Sequence, residues 1–380
     1  MKKSFPLNTK IGILGGGQLG RMFIENALRY AVEIHILDPS SNAPCAHLTP
    51  HFVQGDFKDY ETVYQFGKGL DVLSIEIEHV NTDALKKLEK EGIQVIPSAS
   101  AIETIKDKGL QKQFYEAYEI PSSRFRLIKD KRELEEHIHF LPFFQKARRD
   151  GYDGKGVYSI ASKNDFDKAF DVPSVLEKAV EIEKEISVLV AKDQKGNMEI
   201  YPVVELVFDP IYNLVDYLIA PAQITASQEE RAKELAKRVC EGLQSAGLFA
   251  IEMFLSKEGE ILVNETAPRA HNSGHHTIEA SISSQFDNQL RILLGLPLGS
   301  SKSYKAAAMI NIVGSEGYKG RAAYEGIDEV SAMENVYVHL YGKEQTKPGR
   351  KMGHVSVIGS DMEEVLEKIK KVKVSLKAIA

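Results

Sequence analysis

Cysteine is scarce in this 380-residue chain: Cys45 and Cys240 stand alone. Two thiols cannot build a disulfide framework or a thiolate zinc site, and a reducing compartment is the simpler expectation. No apolar run approaches the ~18 residues of a membrane span, so no membrane partner is expected. The opening MKKSFPLNTK carries two lysines with no apolar segment behind them, so no signal peptide is expected and a cytoplasmic location follows. Basic residues are not in excess, 48 Lys+Arg against 54 Asp+Glu, a net charge of -6 that argues against nucleic acid as a partner. Internal repeats, low-complexity tracts and a G-x-x-x-x-G-K-[ST] phosphate loop are all missing. What remains is ordinary globular composition, 43% hydrophobic and 27% charged, at a length that suggests two or three domains.

The first hundred residues alternate strand and helix patterns. Strands are expected at 10–14, 32–38, 51–54, 70–77 and 93–96, with helices at 18–30 and 81–91, the signature of a parallel sheet covered on both faces. Gly15, Gly17 and Gly20 form G-x-G-x-x-G between the first strand and helix, and Asp38 ends the next strand. That context suits a nicotinamide or flavin dinucleotide, another phosphate-bearing ligand, or a purely structural tight turn. Gln18 adds a polar side chain at the helix mouth.

Beyond residue 100 the texture becomes α+β. Charged helical stretches at 101–118 and 130–138 flank strands at 124–128 and 142–147. A glycine-punctuated loop follows at 148–156, in which Gly151, Gly154 and Gly156 interleave with Tyr152, Asp153 and Lys155. Backbone N–H groups in such a loop can fold over phosphates, and Lys146 just before it can supply an ammonium. Further strands are expected at 174–180, 184–192, 198–208, 248–255 and 261–265, with helices at 227–245 and near 275–294. Strands at 306–313, 336–341 and 353–358 precede a terminal lysine-rich helix.

The stretch AIEMFLSKEGEILVNET reads as a hairpin with Glu258-Gly259 as a two-residue loop, which puts Glu252 directly across from Glu265. Two carboxylates about 5 Å apart at their Cβ atoms repel unless a cation lies between them. Their hard oxygen ligands favour magnesium; the alternative is that each pairs with a nearby Lys or Arg. The following APRAHNSGHHT sets Arg269, His271, Asn272 and Ser273 beside that pair. A guanidinium among polar donors reads as an anion clamp rather than a zinc site. Lys343, Arg350 and Lys351 form a second basic group, a phosphate-binding candidate or a solvated turn.

Together GGGQLGRM (15–22), GYDGKG (151–156), NETAPRAHNSGH (264–275), SQFDNQLRILLGLPLG (284–299), HLYGK and RKMGH resemble the 5-(carboxyamino)imidazole ribonucleotide synthase family of ATP-grasp ligases in purine biosynthesis. The resemblance runs from about residue 10 to 358. It implies a Rossmann-like domain over 1–100, an ATP-grasp domain over 101–299 with a lid at about 115–180, and a C-terminal domain over 300–380. It also implies ATP-dependent carboxylation of 5-aminoimidazole ribonucleotide with bicarbonate, and a homodimer.

By motif position, Lys108 and Lys146 would meet ATP phosphates and residues 151–157, ending at Val157, would cover them. Glu177, Lys178, Ala179 and Val180 would line the adenine, Glu185 the ribose, and Asn264 would join the ATP set. Glu252 and Glu265 would hold two magnesium ions. The ribonucleotide and bicarbonate would meet Gln18, Glu76, Tyr152, Asp153, Arg269, His271, Asn272, Ser273, Lys343, Arg350 and Lys351, with Asp153, Arg269 and Lys343 catalytic. Lys108 stands where arginine is common, His276 where tryptophan is frequent, and Phe208 where a histidine often touches the nucleotide, so Phe208 is left out of the set. The rival readings are a nicotinamide oxidoreductase, an ATP-grasp ligase using formate or carboxylating biotin, and a non-catalytic nucleotide-binding module.

Overall fold

The computed structural model describes residues 8–149, 151, 156–212 and 214–380. Strands β1 (Thr9–Leu14), β2 (Val32–Asp38), β3 (His51–Gln54), β4 (Val72–Ile75) and β5 (Gln94–Val95) form a parallel sheet in the order β3-β2-β1-β4-β5. Strands buried on both faces need apolar residues on both. Ile11, Ile13 and Ile36 pack to one side with the helices Gln18–Ala27 and Gln285–Leu293. Leu14, Leu37, Leu73 and Ile75 pack to the other, against Leu85 and Leu88 of the helix Thr82–Lys90. The first of these cores also takes in Leu189, Ala250, Ala270 and Phe286, so the same apolar layer seals the N-terminal sheet onto the middle of the molecule.

An unexpected helix, Tyr60–Gly67, lies between β3 and β4; only Val63 and Gly67 are buried in it, and Asp59 caps it through the Thr62 N–H. The charged stretch expected as one helix is two, Ala99–Lys106 and Lys108–Ala117, broken at Asp107. The Asp107 carboxylate accepts from Gly109 N (2.9 Å) and Arg148 Nε (2.8 Å), so the break both caps a helix and ties it to the lid. The second charged stretch, Lys131–Phe140, is wound as 3-10 turns.

The lid is a four-stranded antiparallel sheet of β6 (Phe125–Ile128), β7 (Phe143–Ala147), β8 (Val157–Ile160) and β9 (Ser174–Lys178), ordered β6-β9-β7-β8 around Phe140, Phe143, Ile160 and Leu176. The large sheet is built from β10 (Ile182–Lys192), β11 (Met198–Ile200), β12 (Val204–Phe208), β13 (Val215–Ala220), β14 (Gly247–Ser256), β15 (Ile261–Ala267) and β16 (Ala306–Val313). After two short strands, β17 (Gly320–Arg321) and β18 (Ala323–Glu325), it continues with β19 (Val336–Leu340). It passes over β20 (Gln345–Thr346) to β21 (Lys351–Gly359), while the terminal β22 (Lys377–Ile379) pairs with β18. The order is β15-β14-β10-β12-β13-β16-β21-β19, with β11 also on β10.

The segment 198–208, expected as one strand, is interrupted at Tyr201-Pro202-Val203, where proline has no N–H to offer the ladder. β13, not expected from the sequence, pairs with β12 on one side and β16 on the other and so carries the sheet across residue 300. Among the described residues no helix is long and apolar enough to cross a membrane.

Candidate active site

The hairpin β14–β15 places its acids opposite each other by a route different from the expected one. The loop is three residues, Lys257, Glu258 and Gly259, closed by Ser256 N to Glu260 O (2.8 Å), with Gly259 at φ +83°. A left-handed glycine is what this loop length asks for. Met253, Phe254 and Leu255 therefore pair with Val263, Leu262 and Ile261, one residue off the expected register. Asn264 is the extra residue of a β-bulge, and past it Glu252 pairs with Glu265 as expected. The longer loop and the bulge cancel.

Glu252 also lies across from Ser187 of β10, two residues from Glu185, so one face of three strands carries three carboxylates. Burial, then Glu265, then Glu185 push the Glu252 carboxyl up to about 7, and burial raises Glu185. Glu265 is held below the ordinary carboxylate range: burial works against ionisation, but the Lys108 ammonium bonded to it outweighs that. The alternative expected for these acids, pairing with a basic side chain, thus applies to Glu265. The Glu252 Oε1 is 3.5 Å from His271 Nε2, and burial and Arg269 push that imidazole down to about 3, so it is neutral.

The lid contributes Lys146 from β7, whose Nζ donates to Asn264 Oδ1 (2.9 Å) and lies 3.0 Å from Glu177 Oε1. The other Glu177 oxygen lies 3.1 Å from Lys112 Nζ and accepts from Ser123 Oγ (2.6 Å). Lys178 turns its ammonium to the Phe140 and Leu141 carbonyls, and Ala179 N donates to Pro142 O (3.2 Å). Val180 continues the half-buried segment between β9 and β10. Gly156, at φ +78°, and Val157 bring the chain back to β7, with Ala147 N donating to Gly156 O (2.8 Å) and Val157 paired with Lys146. Gly151 lies on the far side of that turn, and the Cα of Gly151 would sit 3.3 Å from a Cβ added at Gly156. Tyr152, Asp153, Gly154 and Lys155 lie outside the described residues.

A second constellation faces the carboxylates from the N-terminal and C-terminal units. Arg269 makes a forked pair with Glu78, Nε to Oε2 2.7 Å. Lys343 Nζ donates to Gln18 Oε1 (2.8 Å) and to the Lys351 carbonyl (2.6 Å). The charge of Lys351 acts on both Glu252 and His271, which joins the two constellations. His271 Nδ1 is 2.9 Å from Ser273 Oγ, itself 3.0 Å from Ser187 Oγ. Both side-chain amide atoms of Asn272 are buried and lack a hydrogen-bond partner among the described residues, an arrangement suited to a ligand. Arg350 is turned to the Gln345 carbonyl (2.7 Å).

The glycine loop is filled from within. Glu76 accepts from Gly17 N and from Leu19 N (3.0 Å), while Asp38 accepts from Gly16 N (2.8 Å). The N–H groups that would cradle a dinucleotide pyrophosphate hold the protein's own carboxylates, which speaks against a nicotinamide enzyme.

Lys112 and Glu78 were not singled out in the sequence. Each had a signal: Lys112 stands four residues after Lys108, on the same helix face, and Glu78 two after Glu76.

A Rossmann-like unit, a lid sheet carrying lysines, and a central sheet whose paired acids face that lid define an ATP-grasp ligase. Residues 8–106 match the ribonucleotide synthetase preATP-grasp domain, 113–286 the ATP-grasp domain, and 307–368 the phosphoribosylaminoimidazole carboxylase C-terminal domain. The crystal structure of N5-carboxyaminoimidazole ribonucleotide synthetase from Thermotoga maritima superposes with a TM-score of 0.89 at 41% identity, covering 98% of this chain and 99% of that one. The synthase from Aspergillus clavatus, in complex with ADP and 5-aminoimidazole ribonucleotide, gives 0.88 at 34% identity over 97% and 98%. The chloroplastic phosphoribosylaminoimidazole carboxylase of Vigna aconitifolia is 39% identical over 93% of this chain, which spans 65% of that relative's length. The chain belongs to the N5-carboxyaminoimidazole ribonucleotide synthase family.

Proposed function

We propose that this protein carboxylates 5-aminoimidazole ribonucleotide, using ATP and bicarbonate and releasing N5-carboxyaminoimidazole ribonucleotide, ADP and phosphate in de novo purine (IMP) biosynthesis. The observation that carries the reading is the opposed pair Glu252–Glu265, flanked by Lys108 and Lys146 and faced by Arg269 and Lys343. The donor set fits magnesium: two hard carboxylates meet, both cysteines lie elsewhere, and burial together with Glu265 and Glu185 pushes Glu252 up to about 7, a charge that a bound cation would offset. Two ions, held by Glu252 and Glu265, are part of the proposal. Bound there, magnesium would neutralise phosphate charge during phosphoryl transfer.

The chain's own residues do the rest. Lys108 and Lys146 hold the triphosphate while a bicarbonate oxygen attacks the γ-phosphorus and the bond to ADP breaks, giving carboxyphosphate. Cleavage of the carboxyphosphate C–O bond then releases phosphate and leaves carbon dioxide in a dry pocket, and the ribonucleotide's exocyclic amine bonds that carbon and gives up a proton to form the carbamate. Asp153 orients that amine or takes its proton, and Arg269, Lys343 and Lys351 clamp the anions. Closure of residues 151–157 keeps water from the short-lived intermediate. A cytoplasmic homodimer completes the proposal.

The test is ADP release with each substrate omitted in turn, with bicarbonate labelled in its oxygens. Turnover that needs both 5-aminoimidazole ribonucleotide and bicarbonate, with label entering the released phosphate, supports the reading. Equal turnover with formate and glycinamide ribonucleotide, or unlabelled phosphate, contradicts it.

A further inference from the structure

Lys112 occupies an unusual place for a lysine. It is 2% exposed, on the helix Lys108–Ala117, one turn beyond Lys108. Among the described residues its ammonium has two polar contacts, Glu177 Oε2 and Ser123 Oγ, each at 3.1 Å. Glu177 is itself 3% exposed and receives Lys146 on its other oxygen at 3.0 Å. One buried carboxylate is therefore shared by two ammonium groups, and the two differ in what else they can reach. Lys146 also touches Asn264, next to Glu265, whereas Lys112 is enclosed behind Glu177.

Moving Lys146 from Glu177 onto a phosphate would, with no second cation, strand a carboxylate away from water. Removing one partner of a buried pair leaves an uncompensated charge, a penalty that opposes the gain from a phosphate contact. We propose that Lys112 is a positioning residue: it keeps Glu177 paired and fixed, so that Lys146 can be released to the nucleotide phosphates. This inference rests on the ATP reading of the site.

The groups facing Lys112 are Glu177 from β9, Lys146 from β7, Ser123 ahead of β6, and Lys108 and Tyr115 of its own helix, the Tyr115 ring centroid lying 5.9 Å away. Burial, against the pull of Glu177 and with the push of Lys146, lowers the Lys112 ammonium to about 8. Above that pH Lys112 is neutral and Glu177 retains Lys146. Nucleotide binding then requires proton uptake, and affinity falls as pH rises. Arginine at this position stays charged throughout.

The experiment is calorimetric titration of magnesium-ATP into the wild-type, K112M and K112R proteins between about pH 7 and pH 9.5, with kcat and KM for ATP measured alongside. For wild type, affinity is expected to drop about tenfold per pH unit above about 8, one proton taken up per nucleotide. K112M is expected to bind about 10–100-fold more weakly at pH 7, in KM rather than in kcat. K112R is expected to bind well with no alkaline decline. Wild-type affinity for K112M, or an unchanged alkaline decline in K112R, would overturn the inference; if K112M does not fold, the K112R profile decides alone. A wild-type protein that binds no magnesium-ATP at any pH would overturn the nucleotide reading itself, and this inference with it.

Discussion

Arg269 and Glu78 form a forked ion pair, Nε to Oε2 2.7 Å, that links the loop after β15 to the segment after β4. The geometry fixes a guanidinium beside the carboxylate hairpin, where it can clamp an anion. Burial pushes the Glu78 carboxyl up, but Arg269 outweighs it and brings it down to about 2, from an ordinary 4.5. A depressed carboxylate contributes stability above its unfolded value and loses it as pH falls through the folded one. Glu78→Gln should therefore cost about 2 kcal/mol near neutral pH, below the ~3–5 of a fully buried pair because both side chains keep about a fifth of their surface. Urea melts should show that gap closing as pH falls from about 4.5 toward 2, together with a raised KM for the ribonucleotide.

Glu76 does in the glycine loop what a ligand phosphate does elsewhere, satisfying N–H groups at the mouth of a helix. Glu76→Ala should leave Gly17 and Leu19 N–H unpaired and lower stability by about 1–3 kcal/mol in denaturant titration. NAD should produce no thermal shift in the wild-type protein, while magnesium-ATP should raise the melting temperature.

Both thiols are buried, and burial raises the proton affinity of each. Neither should react with a disulfide reagent in the native protein, and both should react once it is unfolded. Rapid native labelling at Cys240 would show that the helix Ala226–Gly242, which carries it, opens far more readily than its packing implies.

Periodicity made the N-terminal sheet legible, because strands such as KIGIL and VEIHILD bury their apolar residues, Ile11, Ile13 and Leu14 in one and Ile34, Ile36 and Leu37 in the other, and are bounded by turn residues. The helix Tyr60–Gly67 was not legible, since YETVYQFG buries too little to show an apolar stripe. Asp107 looked like one more polar residue inside a helical pattern; only the cap at Gly109 and the pair with Arg148 reveal it as a boundary. β13 has the apolar content of a strand, VDYLIA, yet its place between β12 and β16 is set by long-range pairing that no local pattern carries. The opposition of Glu252 and Glu265 was read from a two-residue loop, and it holds because the bulge at Asn264 restores the register that the three-residue loop displaces. Lys112 escaped notice because a lysine at helical spacing normally signals a solvated face, and here the lid covers it.

Removing one acid of the central pair should separate binding from chemistry. Glu252→Gln should keep the fold, since it removes a charge that burial and the neighbouring Glu265 and Glu185 disfavour, and thermal stability should be unchanged or slightly higher. Glu265→Gln should be less stable, because Lys108 is left with a neutral partner. Each should lower nucleotide-dependent turnover by about a hundredfold or more in a coupled ADP assay.

The most direct measurement is anomalous diffraction from crystals grown with manganese in place of magnesium and a non-hydrolysable ATP analogue. Two metal peaks are expected at the Glu252 and Glu265 carboxylates, beside the analogue's phosphates. Carboxylates turned away from each other with no peak at either, while the nucleotide is bound, would contradict the account.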